Sequence, residues 1–169
     1  MMMVHRLTNV TDAQIHDLAL LLIDCVEGGA SVSFMSPLPL AKAEAFWRRV
    51  AEHVAREACA LIVAEDATGI VGTVQIILEQ PENQPHRADI AKLLVHRRAR
   101  RQGIGEALMR EAERVARDCG RSLLVLDTAS GDAERLYVRM GWQLVGVVPD
   151  YALWPRGGLC DTSFYYRKL

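Results

Sequence analysis

The chain is poor in aromatic residues, 6% of 169, and it lacks an excess of charge of either sign, with 20 Lys and Arg against 21 Asp and Glu. A formal net charge of −1 offers no global basic field for nucleic acid or an anionic membrane, so any positive patch is local. Long apolar runs are also missing. The longest aliphatic stretches, Leu18 to Ile23 and Cys59 to Ala64, are far too short to cross a bilayer. Met1-Met2-Met3 lacks the basic start and apolar stretch of a signal peptide. The four cysteines (Cys25, Cys59, Cys119, Cys160) form no C-x-x-C pair, which points to buried reduced thiols. The five histidines fall at no metal-ligand spacing, so no metal site is expected. These absences describe a cytoplasmic protein with no nucleic-acid or membrane partner. They say nothing of oligomeric state.

What is present fits one globular domain over 1–169: half the residues are hydrophobic and 24% are charged. Val4 to Leu7 reads as a strand. Thr11-Asp12-Ala13-Gln14 reads as a capping box, followed by Ile15, Leu18, Leu22 and Val26 at helical spacing up to Gly28-Gly29. A loop to Leu38 precedes a second helix from Pro39 with Phe46, Val50 and Val54 on one face. Cys59 to Glu65 and Gly69 to Leu78 read as a hairpin, and Ala88 to Val95 as a third strand of that region. A helix from Ile104 to Cys119 stops at Gly120. Ser122 to Asp127 is apolar enough for a parallel strand covered on both faces. A short helix from Asp132 to Met140 and strands at Val145 to Val148 and Ser163 to Arg167 close the chain. The order β-α-α-β-β-β-α-β-α-β-β is that of an α/β domain with a mixed sheet and one right-handed βαβ crossover at its centre.

Chemistry enters between the third strand and the helix that follows, at His96-Arg97-Arg98-Ala99-Arg100-Arg101-Gln102-Gly103-Ile104-Gly105. A helix N-terminus offers unpaired N–H groups and a partial positive charge to an anion. Glycines let the backbone approach, and arginines add charge-assisted phosphate contacts. The composition describes a pyrophosphate site. A solvated basic turn is the plainer reading. A dinucleotide fold is disfavoured because Leu108 stands where the third glycine belongs and the turn is long. A P-loop is excluded because no Gly-Lys-Ser/Thr follows. A nucleic-acid patch lacks interleaved aromatics.

Arg100-Arg101-Gln102-Gly103-Ile104-Gly105 resembles the Arg/Gln-x-x-Gly-x-Gly/Ala signature of the GNAT superfamily of N-acetyltransferases. Downstream, Ala133-Glu134-Arg135-Leu136-Tyr137 followed by Met140-Gly141-Trp142 is similar to a second feature of that family. The stretch Leu124 to Tyr166 looks loosely like the tabtoxin-resistance branch. The resemblance covers roughly residues 60 to 169. It implies a mixed, mostly antiparallel sheet with a central splayed parallel pair, four helices, and acetyl-CoA as co-substrate between the splayed ends. Pantetheine would then pair with the backbone of Leu93, Leu94 and Val95. The pyrophosphate would take amides from Arg100, Arg101, Gln102, Gly103, Ile104, Gly105 and Glu106. Ser130 stands where family members often carry Asn, and with Ala133 and Tyr137 it would line the cofactor.

Acetyl transfer requires a deprotonated amine, a donor aimed at the thioester oxygen and a proton for the departing thiolate. The resemblance makes Tyr137 the acid and a backbone amide near Leu93 the oxyanion donor. Asp89 occupies the position of a glutamate base, about 13 Å along the strand from Leu93 at roughly 3.3 Å per residue, so that only a water relay would connect them. For the acceptor, the loop Ser31 to Ser36, the helix face with Trp47, Tyr151, Trp154, Asp150 and Asp161 are candidates. The expected activity is acetyl-CoA-dependent acetylation of a primary amine of a small molecule. Protein acetylation, favoured by an open groove, and a non-catalytic CoA-binding module are the alternatives.

Overall fold

The computed structural model describes residues 1–129 and 131–169. Strand β1 (Met3–Leu7) leads into helix α1 (Asp12–Glu27), which Thr11 and Gln14 cap reciprocally. Helix α2 (Leu40–Ala55) starts on Pro39, whose fixed φ suits the first turn and whose missing N–H costs nothing there. β2 (Cys59–Asp66) and β3 (Gly69–Ile77) form a hairpin. Asp66 Oδ1 accepts from both the amide and the hydroxyl of Thr68, at 2.8 and 2.6 Å, which closes the turn.

β4 (Arg87–Val95), one turn of 3₁₀ helix at Arg97–Ala99, α3 (Ile104–Asp118) and β5 (Leu123–Thr128) form the central crossover. α4 (Gly131–Arg139) and the hairpin of β6 (Gln143–Leu153) and β7 (Leu159–Lys168) complete the chain. The seven strands run β1-β2-β3-β4-β5-β7-β6, antiparallel throughout except β4–β5. Apolar side chains of α3 and α4 cover one face, around Leu108, Met109, Ala112 and Leu124. Those of α1 and α2 cover the other, around Leu18, Leu22, Trp47 and Leu61.

The feature that positions the site is a divergence. β4 and β5 pair only at Arg87–Asp89 against Leu123–Val125. Beyond that, β4 bulges. Thr73 faces Leu94 and Gln75 faces Ala91, so Val74 alone stands opposite both Lys92 and Leu93. Lys92 takes φ 53°. A bulge bends its strand and increases its twist, and this one turns β4 away from β5 at the point where their ladder stops.

Three expectations are corrected. β5 is not covered on both faces: Leu124 and Leu126 are buried, while Leu123 and Val125 are half-buried and Asp127 is exposed. Its apolar composition therefore reflects one core face and one wall of a cleft. β6 runs on past Val148 through Pro149 to Leu153, which an outer edge strand allows because no neighbour needs the proline N–H. On α2 the fully buried stripe is Ala43, Trp47, Val50 and Val54, and Phe46 lies half-buried at its margin.

Candidate active site

The first half of the site is the start of α3. Ala107 N–H donates to Gly103 O at 3.0 Å, the first bond of the helix. The amides of Ile104, Gly105 and Glu106 therefore precede the helical ladder and point out of its N-terminus. Gly103 takes φ 77° at the N-cap and Arg101 φ 59° just before it. The side chains of Arg100, Arg101 and Gln102 are exposed around this turn.

The arginines divide by task. Arg97 is bound to Asp24 through its backbone N–H and its Nε, both at 2.9 Å. Arg98 reaches Asp66 at 3.0 Å and Thr68 Oγ1. These two anchor the loop to α1 and to the β2–β3 turn. Arg100 donates from Nε to Val95 O at 3.2 Å and folds back over the end of β4. Glu106, inside the first turn, is paired with Arg110 at 2.6 Å and Arg139 at 3.6 Å, which hold its carboxyl below the usual range. Its charge is thereby screened from an incoming phosphate.

Close packing sets the helix start. A Cβ on Gly72 of β3 would come within 3.0 Å of both Ile104 Cγ2 and Leu108 Cδ1, so α3 rests directly on the strand. Gly72→Val is expected to destabilise the fold by about 1–3 kcal/mol through overpacking. It should also weaken acetyl-CoA binding by lifting the helix start. Thermal melts and calorimetric titration with acetyl-CoA read the two effects separately.

The second half is the gap between the diverging strands. His96 N–H donates to Val71 O at 2.8 Å. By alternation Leu94 also faces β3 with its backbone, and Leu93 and Val95 face the gap. Val95 O there accepts from Arg100 and, at 3.6 Å, from Cys25 Sγ. Tyr137, 4% exposed, comes up from α4 on the α3 side, with ring centroids 5.8 Å from Trp142 and 5.9 Å from Tyr165. Burial, with a smaller contribution from Asp127, pushes its phenol well above the ordinary value. Ala133 packs against the same core. Ser130 lies outside the described residues.

Asp89 sits where β4 and β5 are still paired, opposite Val125. Its carboxylate accepts from Arg87 and, at 3.2 Å, from Gln80 Nε2, and Gln80 Oε1 in turn accepts from Arg87 at 2.6 Å. The three side chains form one clamp at the closed end of the gap.

On the α2 side of the gap stands Lys92, for which the sequence carries no signal. Lys92 Nζ donates to Ser33 Oγ at 3.0 Å and lies 5.8 Å from the centroid of the Phe46 ring. Burial holds its pKa below the ordinary value, with Asp127 pulling the other way. Asp127 accepts from Thr162 Oγ1 at 2.8 Å. Only the position of Ser33 in a predicted acceptor loop hinted at this group. Trp47, expected near it, is fully buried in the core, and Phe46 reaches the cleft instead. Asp161 caps the Asp150 amide at 3.0 Å, and Tyr151 packs edge-on against Phe164 at 5.9 Å. Trp154 and Asp161 line an open depression of about 430 Å³ with Thr128 and Glu134 at the end of β5.

Across this side lies a roof. The tip of the β6–β7 hairpin is bound to the segment joining α1 and α2. Ser31 Oγ donates to Leu153 O at 3.3 Å, Cys160 Sγ to Ser31 Oγ at 3.5 Å, and Ser36 N–H to Pro155 O at 2.9 Å. Arg156 donates to Glu27 O at 2.7 Å. Among the described residues no helix is long and apolar enough to cross a membrane, and no cluster of His, Cys, Asp and Glu could hold a metal ion.

Comparison with known proteins matches residues 31–142 to the model of the acetyltransferase (GNAT) family. Human N-acetyltransferase 8 is 35% identical over 110 residues, 63% of this chain and 48% of that protein. The chain thus spans about half the length of the curated relatives it matches. A ribosomal-protein-alanine N-acetyltransferase from Brucella melitensis superposes with TM-score 0.79 at 22% identity, over 99% of both chains. A phosphinothricin acetyltransferase from Sinorhizobium meliloti, solved with acetyl-CoA, gives TM-score 0.80 at 17% identity over 99% of this chain and 88% of that one. At such identities the likeness is one of fold.

Proposed function

We propose, for a chain that belongs to the acetyltransferase (GNAT) family and is therefore an N-acetyltransferase, direct transfer of acetyl from acetyl-CoA to a primary amine of a small molecule. The observation that carries the acceptor class is the roof. Three hydrogen bonds join the β6–β7 tip to the segment between α1 and α2, and a fourth joins it to the end of α1. In this reading a peptide laid along the sheet would meet that bridge, whereas a small amine would enter by the depression at the end of β5.

In this reading the pyrophosphate lies on the amides of Gly103, Ile104, Gly105 and Glu106, with Arg100, Arg101 and Gln102 beside it. Pantetheine follows Leu93 to Val95, where backbone groups face the gap, and Ala133 and Tyr137 flank the thiol. The solved S. meliloti structure, which holds acetyl-CoA on the same fold, supports acetyl-CoA as the co-substrate. The Leu93 amide is the donor for the thioester oxygen, and Tyr137 the donor for the thiolate. Asp127, exposed and bound by neutral Thr162, is placed to hold a cationic amine. Asp89 is committed to Arg87 and Gln80, and its role in this reading is to hold the closed end of the gap. Asp89→Asn is accordingly expected to leave the pH dependence of kcat/KM in place. A shifted rising limb would return the base to Asp89.

The test is release of CoA across a panel of spermidine, L-lysine, kanamycin and a peptide with N-terminal alanine. Turnover of the free amines and not of the peptide is expected. Turnover of the peptide alone would replace the small-molecule reading with protein acetylation.

A further inference from the structure

The acceptor side of the gap carries a cation that acetyl-CoA binding leaves unused. The β4 bulge sets Lys92 at φ 53°, next to Leu93 and at the rim of the divergence. Its side chain crosses the cleft to Ser33 Oγ and the Phe46 ring. It enters none of the ion pairs among the described residues. The ammonium is half-buried, with a hydroxyl and a ring beside it and no ion pair, so it has lost water, and burial lowers its pKa against the opposing pull of Asp127. The groups facing it are Asp127 from β5, Ser33 from the α1–α2 segment and Phe46 from α2. On its own strand Asp89 is engaged by Arg87 and Gln80.

We propose that Lys92, set at the rim of the divergence beside Leu93, is the proton acceptor for the incoming amine. The acceptor ammonium gives one proton to Lys92 Nζ. The freed amine attacks the thioester carbonyl, so that the C–N bond forms and the C–S bond breaks. The thiolate takes a proton from the Tyr137 hydroxyl, and the new amide nitrogen returns one to that oxygen. Lys92 then releases its proton to water, so protons balance without another reactant. An ordinary carboxylate, with a pKa of about 3.9, is far too acidic to draw a proton from an alkylammonium near 10.4. An amine partly stripped of water is much better matched. The proposal rests on the acetyl-transfer reading but not on the size of the acceptor.

Two experiments decide it. Trace labelling with acetic anhydride across pH, read by mass spectrometry of the Lys92 peptide, needs no acceptor. Half-reaction below the ordinary lysine value of about 10.4 is expected, and titration at that value would overturn the proposal. With the panel amine that releases most CoA, Lys92→Met and Lys92→Arg should both lower kcat/KM at neutral pH by about 10²-fold or more. Both should approach wild type at high pH, where the acceptor is itself neutral. Arginine keeps the charge but cannot act as a base, so near-wild-type activity of Lys92→Arg would sink the idea, as would equal losses at every pH. Asp127→Asn removes the charge that raises the Lys92 pKa, so the rising limb of kcat/KM should move to lower pH. An unmoved limb would assign it to another group. If no panel amine is turned over, the small-molecule reading fails while the labelling still judges Lys92.

Discussion

Tyr137→Phe is expected to lower kcat by about 10²–10⁴-fold, the usual contribution of a positioned acid, while acetyl-CoA affinity and melting temperature change little. The ring makes the packing contacts with Trp142 and Tyr165, and phenylalanine retains the ring. What is lost is the hydroxyl proposed to protonate the thiolate. Burial and the nearby Asp127 push the phenol well above its ordinary value, which alters the expectation drawn from a free phenol near 10. Tyr137 is a weaker acid than a free phenol, so its hydrogen bond strengthens as charge develops on sulfur, with little transfer beforehand. The sign for pH follows. A group whose pKa is raised stays protonated as pH rises, so Tyr137 causes no decline in rate up to its ordinary value of about 10. The kcat/KM profile should rise as Lys92 and the acceptor lose protons and show no falling limb below that point. Stopped-time CoA release from pH 6 to 10, with calorimetric titration of acetyl-CoA, measures both claims. Unchanged kcat in Tyr137→Phe would remove the acid assignment.

What could be read along the chain was local. The Thr11–Gln14 capping box, the turn at Asp66 to Gly69 and the helix start at Gly103 each lie within a few residues, and their backbone structure is determined in that span. The element order followed from periodicity for the same reason. The acceptor side was not legible because it is assembled by distant pairing. Ser31 meets Leu153 across 122 positions, Lys92 meets Ser33 across 59, and Thr162 meets Asp127 across 35. No pattern within β4 announces that Lys92 will leave the alternation, since the bulge is a property of its register with β3. Trp47 and Phe46 differ by one helical position, about 100° of rotation. That rotation decides which is core and which reaches the cleft.

Glu113→Ala is expected to cost about 3 kcal/mol, the scale for removing one partner of a buried pair. Glu113 is 6% exposed on α3 and holds two elements at once. Trp142 Nε1 donates to its Oε1 at 3.2 Å, and Arg167 Nε lies 2.9 Å from the same oxygen as an ion pair without an aligned hydrogen bond. Arg167 also donates to Met140 O at 2.6 Å. α3, the turn after α4 and the last strand thus meet at a single carboxylate. Alanine would leave the indole N–H without an acceptor and a largely buried guanidinium without its carboxylate, the costly half of the asymmetry between breaking and replacing a pair. For a chain of this length about 3 kcal/mol corresponds to a fall in Tm of roughly 6–12 °C. A double-mutant cycle separates the pair from its surroundings. Glu113→Leu should cost much less in an Arg167→Met background than in the parent, because the cation is then gone. Equal losses in the two backgrounds would show that Glu113 acts without Arg167, through Trp142 and packing.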